Sequence, residues 1–532
     1  MTSVIHRPSP APARTSTLRP PRLPGLPRRP RPRGHRWGDP AITGLVALVV
    51  YALHGYDGVL DRDLGAFAYG GVHVAHGSPP YLDLFNSVGP LADAVPGLAI
   101  WLGHFAEADP ILSARLFFTV LSALCCSLLC VLARDTLGSR AAGFLAPALF
   151  LTFEDFLRLA SDGPREKTTM VVFLLGCLIL LGRRRWASAG ACAALATLTW
   201  QPVFAVTLGA LAAATLLDQR DRRSRIVLRF TLGGLVPSLA TVGFFLAAGA
   251  LSQAINGFIV INAAYTRQPS FFSEAHTISA TLLKAYDLSL FPILGGLVAG
   301  LVLGVRAVPR ARRPTADPHA RRLVVNVAGG LVGIVWTLLV INGAPDLFVV
   351  LPFAALGLAA AAVWLLGRVP RRVALSATVA VVCLGVGVAG VESVSTRGHM
   401  LLVQRADVDA VLATQPSDAT VVSLNAPEAL ALAGRDNPLP YQILNHSQDR
   451  YLSATYPGGL PGLVQTLEDL HPTFVVVSQG FRETWPVAWL TEDYRRVGGG
   501  AGFVWYLSRS AGPDALANAR FAHDEVMTAY GR

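Results

Sequence analysis

Lysine is almost missing from this chain: Lys167 and Lys284 are the only two in 532 residues, although arginine is plentiful and the formal net charge is +11. Charge of either sign is scarce too, at 15% of residues, where an ordinary globular domain has about 25%. The first 38 residues hold nine Arg, many Pro and no acid. Such a composition cannot bury a core and predicts a disordered basic tail over 1–38. The six cysteines (Cys125, Cys126, Cys130, Cys177, Cys192, Cys383) all fall in apolar runs. They show neither metal-ligand spacing nor a disulfide framework, which leaves core packing as their role. No small-residue cleavage pattern follows the first apolar run near Ala41, so that run reads as a retained span and not as a signal peptide. No internal repeat is visible, and the inverted-repeat signature of many secondary transporters is therefore missing.

Hydrophobic residues, by contrast, make up 52% of the chain, and the mean hydropathy is +0.46. Lipid must be part of the solvent. Runs that cross, or nearly cross, a hydrocarbon layer are predicted at 41–57, 112–132, 139–153, 168–182, 186–200, 202–218, 226–249, 287–306, 323–342, 346–366 and 371–392. A thirteen-residue piece at 94–106 contains Pro96 and is too short to settle by length. The arginine excess sits in the tail and in short breaks: Arg183 to Arg185, Arg220 to Arg229, Arg306 to Arg322, and Arg368 to Arg372. Placing every one of these inside the cell makes 94–106 a non-crossing, juxtamembrane or re-entrant element. It puts 57–89, 154–167, 250–286, 343–345 and everything after 393 outside. The positive-inside pattern explains the charge without a nucleic-acid partner.

The predicted fold class is thus a polytopic α-helical membrane protein of about eleven spans, 39–393, in a plasma membrane with the N-terminus cytoplasmic. A small soluble α/β domain, 394–532, follows outside. Its β-rich runs (Thr420 to Leu424, Thr473 to Ser478, Gly502 to Leu507) alternate with helix-like stretches (Ala426 to Ala433, Leu460 to Leu470). Gly498 to Gly500 reads as a turn between strands.

The first outer loop carries the densest chemistry. It runs from Asp61-Arg62-Asp63-Leu64-Gly65-Ala66-Phe67-Ala68-Tyr69-Gly70 through His76-Gly77-Ser78-Pro79-Pro80-Tyr81-Leu82-Asp83 to Asn86-Ser87-Val88-Gly89-Pro90. Carboxylates at the end of a span, at headgroup depth, can take a proton from an acceptor hydroxyl. The plainer reading of Asp61 and Asp63 is a solvated helix start, where the dipole favours acids. Both lysines fall outside against the positive-inside trend, which suggests that something negative is bound there.

An acidic pair after the first span, an aromatic-containing helix, then a Gly-x-Pro-Tyr-x-Asp run and a closing Pro resemble the GT-C superfamily of membrane glycosyltransferases. The protein O-mannosyltransferase-like and aminoarabinose-transferase-like branches are the nearest. Ser161-Asp162-Gly163-Pro164-Arg165-Glu166-Lys167 stands where that family has a second acidic outer loop. Leu198-Thr199-Trp200-Gln201-Pro202 stands where it often has Leu-Thr-Lys-x-Pro, and Asn342 to Phe348 leads into Leu351-Pro352-Phe353 like its late outer turn. Trp200 departs from the family's lysine, and Asp346-Leu347-Phe348 from its frequent His-Tyr.

The resemblance implies inverting transfer of a sugar, mannose- or arabinose-like, from a polyprenyl-phosphate donor to an extracytoplasmic glycan, lipid or protein. It implies Asp61 as base with Asp63 as alternative or partner, and Glu154 or Asp162 orienting the acceptor. Arg165, Lys167, Arg267 and Lys284 are then candidates for the donor phosphate, and Tyr69, Tyr81 and Asp83 for the sugar. No cofactor is required on this reading. His73 and His76 lie three apart, a spacing that can bind a divalent metal, but the metal-independent branches are the closer match. The rivals are a transporter or lipid-linked-sugar flippase, which would need charges deep within spans, and a non-catalytic scaffold, which would tolerate loss of Asp61.

Overall fold

A computed structural model describes residues 38–266, 271–313 and 317–532. Residues 1–37, nearly all of the expected tail, and Arg267 lie outside the described residues. The described residues are 72% helical with one small sheet, and Asp39–Arg532 form one compact unit. Every hydrophobic run identified in the sequence overlaps a helix, although the first helix ends at Ala52, short of the expected 57, and 346–366 divides between the 3-10 turn Ala344–Val349 and Leu351–Leu366. By length and composition, Pro110–Leu137, Arg223–Ala247, Ala275–Ala311, Pro318–Leu339 and Arg371–Leu412 are sufficient to cross a membrane. Gly38–Ala52, Arg140–Phe150, Trp186–Thr199, Val203–Leu217 and Leu351–Leu366 are shorter apolar helices. The 94–106 piece belongs to a helix, Leu91–His104, with Pro96 inside it.

Local signals start and stop these helices. Pro110–Leu137 begins with Asp109 accepting from Leu112 N–H and Pro110 in the first turn, and it ends on Gly138 at φ 66°. That backbone conformation favours glycine. The outer faces are apolar: Leu228, Leu232, Val236 and Leu239 lie along one stripe of Arg223–Ala247, each more than half exposed. Such a stripe suits a lipid-facing surface. The inner face of this helix is kept small. A Cβ on Gly233 would fall 1.9 Å from the Ala187 carbonyl oxygen, and one on Gly190 1.8 Å from that of Phe230. Small residues thus set the close approach of two backbones.

After residue 400 the chain forms β1 (Val421–Leu424), β2 (Phe474–Ser478), β3 (Tyr494–Gly499) and β4 (Phe503–Ser508) in the order β1-β2-β4-β3. β1 and β2 are parallel, and β4 is antiparallel to both β2 and β3. Trp505 is fully buried, and its Nε1 donates to Asp407 Oδ2 at 3.0 Å. The glycine run differs from expectation. Gly498 and Gly499 are part of β3 at a register shift, and the turn falls at Gly500 to Gly502. The reason for glycine at 498 is packing, since a Cβ there would meet His523 Cδ2 at 2.0 Å.

The first outer loop is clasped by this C-terminal segment. The Arg62–Ala75 helix packs against Pro427–Ala433 so closely that a Cβ on Gly65 would lie 2.5 Å from Glu428 Cα. Asn437 N–H donates to the Tyr69 hydroxyl at 2.9 Å, and Phe85 N–H to the Pro440 carbonyl at 2.9 Å.

Candidate active site

Asp61 is the N-cap of Arg62–Ala75: its Oδ1 accepts from Leu64 N–H at 2.8 Å, which supplies one of the four donors left over at a helix start. Asp63, two residues on, points elsewhere. Its Oδ1 accepts from Arg62 Nε at 3.1 Å and Nη2 at 2.8 Å. Arg165 stands behind the pair, with Nη2 3.4 Å from Asp61 Oδ2 and Nη1 3.9 Å from Asp63 Oδ2.

The two carboxyls are driven apart. Burial pushes Asp61 above the usual carboxylate range, outweighing the pull of Arg165. Asp63 feels the same burial, but Arg62 first and then Arg165 outweigh it and hold the group below that range. Burial acts against the charge on Arg165, yet Asp61, Asp63, Glu166 and Asp155 together raise its pKa. Burial also pushes Asp155 up to about 6. Glu428, only 2% exposed, is pushed up to about 8 by burial, with Asp61 and Asp63 adding to the effect.

Asp63 and Arg62 form part of the wall of a cavity of about 710 Å³. Its other charged residues are Glu166, Lys167, Glu274 and Asp346. Lys167 Nζ contacts Glu166 Oε1 at 2.5 Å and Asp346 Oδ1 at 3.4 Å, and it stands 5.5 Å from the centre of the Trp200 ring. Burial disfavours its charge, but those carboxylates raise its pKa. Asp346 is itself fixed, accepting from Asn342 N–H at 2.7 Å. The Leu198 to Pro202 break closes another side of the cavity, where Gln201 Nε2 donates to the Ser87 carbonyl at 3.0 Å. Phe204 lines both this cavity and a second, apolar one of about 470 Å³ formed by residues such as Leu208, Leu235, Phe245 and Ile259.

Of the nominated residues that are described, the structure brings Asp63 and Lys167 to the cavity wall and leaves the others off it. Asp61 caps its helix. Arg165, with a 6% exposed side chain, is held by the acids in front of it. Asp162 Oδ1 pairs with His54 Nε2 at 3.4 Å, and Glu154 pairs with Arg158. Tyr69 is buried against the C-terminal segment, while Tyr81 is buried with its hydroxyl donating to the Val88 carbonyl at 2.7 Å and its ring on the apolar cavity. Asp83 faces His73 at 3.4 Å, and Lys284 is exposed on Ala275–Tyr286. His73 also lies 3.5 Å from Asp436, and His76 stacks on His104. Among the described residues, no three His, Cys, Asp or Glu side chains are arranged to hold a metal ion.

Several wall residues had no role in the sequence reading: Arg62, Glu166, Asn262, and Asn445 to Gln448. Arg62 carried a signal, a cation between two acids. The others are polar residue types too common in loops to stand out.

No family model matches the sequence, and no curated protein matches it. Solved structures do. ArnT from Cupriavidus metallidurans in the apo state matches with a TM-score of 0.61 at 16% identity, over 90% of this chain and 99% of that one. The same protein bound to undecaprenyl phosphate matches with a TM-score of 0.55 at 16% identity, over 90% and 100%. The Archaeoglobus fulgidus oligosaccharyltransferase in complex with Zn and sulfate gives 0.52 at 14% identity, over 89% of this chain and 74% of that one.

Proposed function

The chain has the fold of the GT-C membrane glycosyltransferases, and on that premise we propose that it transfers a sugar from a polyprenyl-phosphate donor to an acceptor outside the cytoplasm. One observation carries the reading. At Phe204 a polar cavity walled by four carboxylates and two cations adjoins an apolar cavity among membrane helices. An amphiphile with a charged head and a polyprenyl tail suits both compartments. The undecaprenyl phosphate bound to ArnT is a ligand of this kind.

Asp63 is the base on this reading, because it faces the space where the reactants meet and Asp61 does not. It removes the acceptor's O–H or N–H proton as the acceptor atom attacks the sugar's anomeric carbon. The bond from that carbon to the phosphate oxygen breaks, its electron pair leaves with the phosphate, and the configuration inverts. Lys167 and Arg62 are the wall cations available for the departing charge. Arg62 has two roles in sequence. Before the donor binds it holds Asp63, and the phosphate, a better partner for its fork, draws it away. Asp63 is then released as a stronger base only when a donor is present. Asp61 and Arg165 position the pair.

The test is sugar transfer by purified protein in lipid, supplied with radiolabelled polyprenyl-phosphate sugars and cell-envelope extract. Consumption of one donor by the wild type and its loss in Asp63→Asn is the expected outcome. A wild type that consumes none of the donors overturns the reading and brings the flippase alternative forward.

A further inference from the structure

The cavity wall is built from two stretches of chain with different character. All six of its charged side chains, Arg62, Asp63, Glu166, Lys167, Glu274 and Asp346, come from the chain before residue 350. After residue 440 the chain adds Ile443 and Asn445 to Gln448, none of them an acid or a strong base. These last four residues are the start of a ten-residue helix, His446–Thr455, whose N-cap Asn445 accepts from Ser447 N–H at 2.9 Å and Gln448 N–H at 3.2 Å.

The amides of the wall also differ in what they already do. Asn86 Nδ2 donates to Asp93 Oδ2 at 3.0 Å, Gln201 Nε2 to the Ser87 carbonyl at 3.0 Å, and Asn262 Nδ2 to the same carbonyl at 2.7 Å. Asn445 caps its helix. A sixth amide of the wall, Asn342, is exposed. Among the other five Gln448 alone is uncommitted: it is 2% exposed, and among the described residues neither its Nε2 nor its Oε1 has a hydrogen-bond partner. A buried amide without partners destabilises a fold and is rare in native proteins. At a wall it is satisfied by a ligand offering a donor and an acceptor together, as a ring hydroxyl does.

We infer that Gln448 hydrogen-bonds a hydroxyl of the donor's sugar ring, so that sugar choice is made by the segment after residue 440 while the charged chemistry belongs to residues before 350. This rests on the transferase reading above. It calls for a neutral polyhydroxyl ring, because no charge stands on this part of the wall to meet an amino sugar or a uronate. Discrimination through a buried hydrogen bond is steep, since a sugar lacking the hydroxyl leaves the amide unpaired.

The experiment compares wild type with Gln448→Met, using the polyprenyl-phosphate pentose or hexose that the wild type consumes and the monodeoxy analogues of that donor. Gln448→Met is expected to lower kcat/KM for the parent donor by about tenfold to a hundredfold. For one analogue it changes kcat/KM by less than about threefold. Equal loss on every analogue, no loss on the parent, selectivity that moves with deoxy acceptors instead, or a preferred donor with a charged sugar each overturns the inference. Gln448→Asn keeps the amide and serves if the Met variant does not fold: weaker turnover with the same positional selectivity is expected. A wild type inactive on all donors sinks the transferase reading first, an outcome distinct from an active wild type whose selectivity ignores residue 448.

Discussion

Two clusters of carboxylate and guanidinium stand at opposite ends of the Glu166–Gly182 helix, about 25 Å apart along its 17 residues. At the far end Asp218 is completely closed in: its Oδ2 lies 2.7 Å from Arg184 Nε and 2.8 Å from Arg321 Nη2, and its Oδ1 accepts from Arg220 N–H at 2.8 Å and Asp221 N–H at 3.0 Å. At the near end Asp63 and Lys167 have comparable partners, but a cavity of about 710 Å³ opens beside them. The same residue types therefore make a latch in one place and a candidate site in the other. Room for a reactant, more than the charge itself, separates the two.

Substitutions at both ends sharpen this contrast. The largest effect is expected at the base. Asp63→Asn should lower kcat by about a thousandfold, while Asp61→Asn, which retains a good helix cap, should lower it about tenfold at most. Reversal of the two in the donor-consumption assay would make Asp61 the base. Next, Lys167→Met should lower kcat about a hundredfold with the protein still folded, the scale on which a lost charge-stabilising donor is felt. At the other end, Asp218→Asn should cost about 3 kcal/mol of stability by leaving two arginines without their acid. The activity per folded molecule should not change, and a thermal melt in detergent set beside turnover reads both. Loss of turnover without loss of stability at Asp218 would remove the distinction drawn here.

The smallest effect is a pH shift. On the transferase reading Asp63 works deprotonated, and its pKa in the resting protein is held low, so kcat/KM should hold as pH falls through the usual carboxylate range and drop only below it. The acid limb of kcat, which reports the donor complex, should lie higher once Arg62 has moved to the phosphate. Arg62→Gln should bring the two limbs together. Coincident limbs in the wild type would show that Arg62 does not change partners.

Much of this was legible in the sequence. Each hydrophobic run became a helix because a stretch with no water to satisfy its backbone must satisfy it internally. After residue 420 three strands and the helices Pro427–Ala433 and Gly459–Leu470 were readable; β3, whose Arg495-Arg496 and glycines mask the pattern, and the helices His446–Thr455, Val487–Asp493 and Pro513–Ala529 were not. The loops around the cavity were located as well. Choosing Asp63 over Asp61 was not possible from spacing, because residues two apart on a helix point about 200° away from each other. Which of them faces the cavity is set by how the Arg62–Ala75 helix is seated in the fold. Arg165 was nominated for a phosphate on its charge alone, and only its surroundings reveal that four carboxylates already share it.

What the sequence determined by itself, then, is the class of molecule and the loops that meet at the candidate site, because hydropathy and charge act through local composition. Tertiary structure alone decided which of two neighbouring acids is presented, which cations are already engaged, and that Asn445 to Gln448 reach a cavity whose wall includes Arg62 and Asp63, more than 300 positions earlier in the chain. Those are matters of packing between distant segments, and no local pattern encodes them.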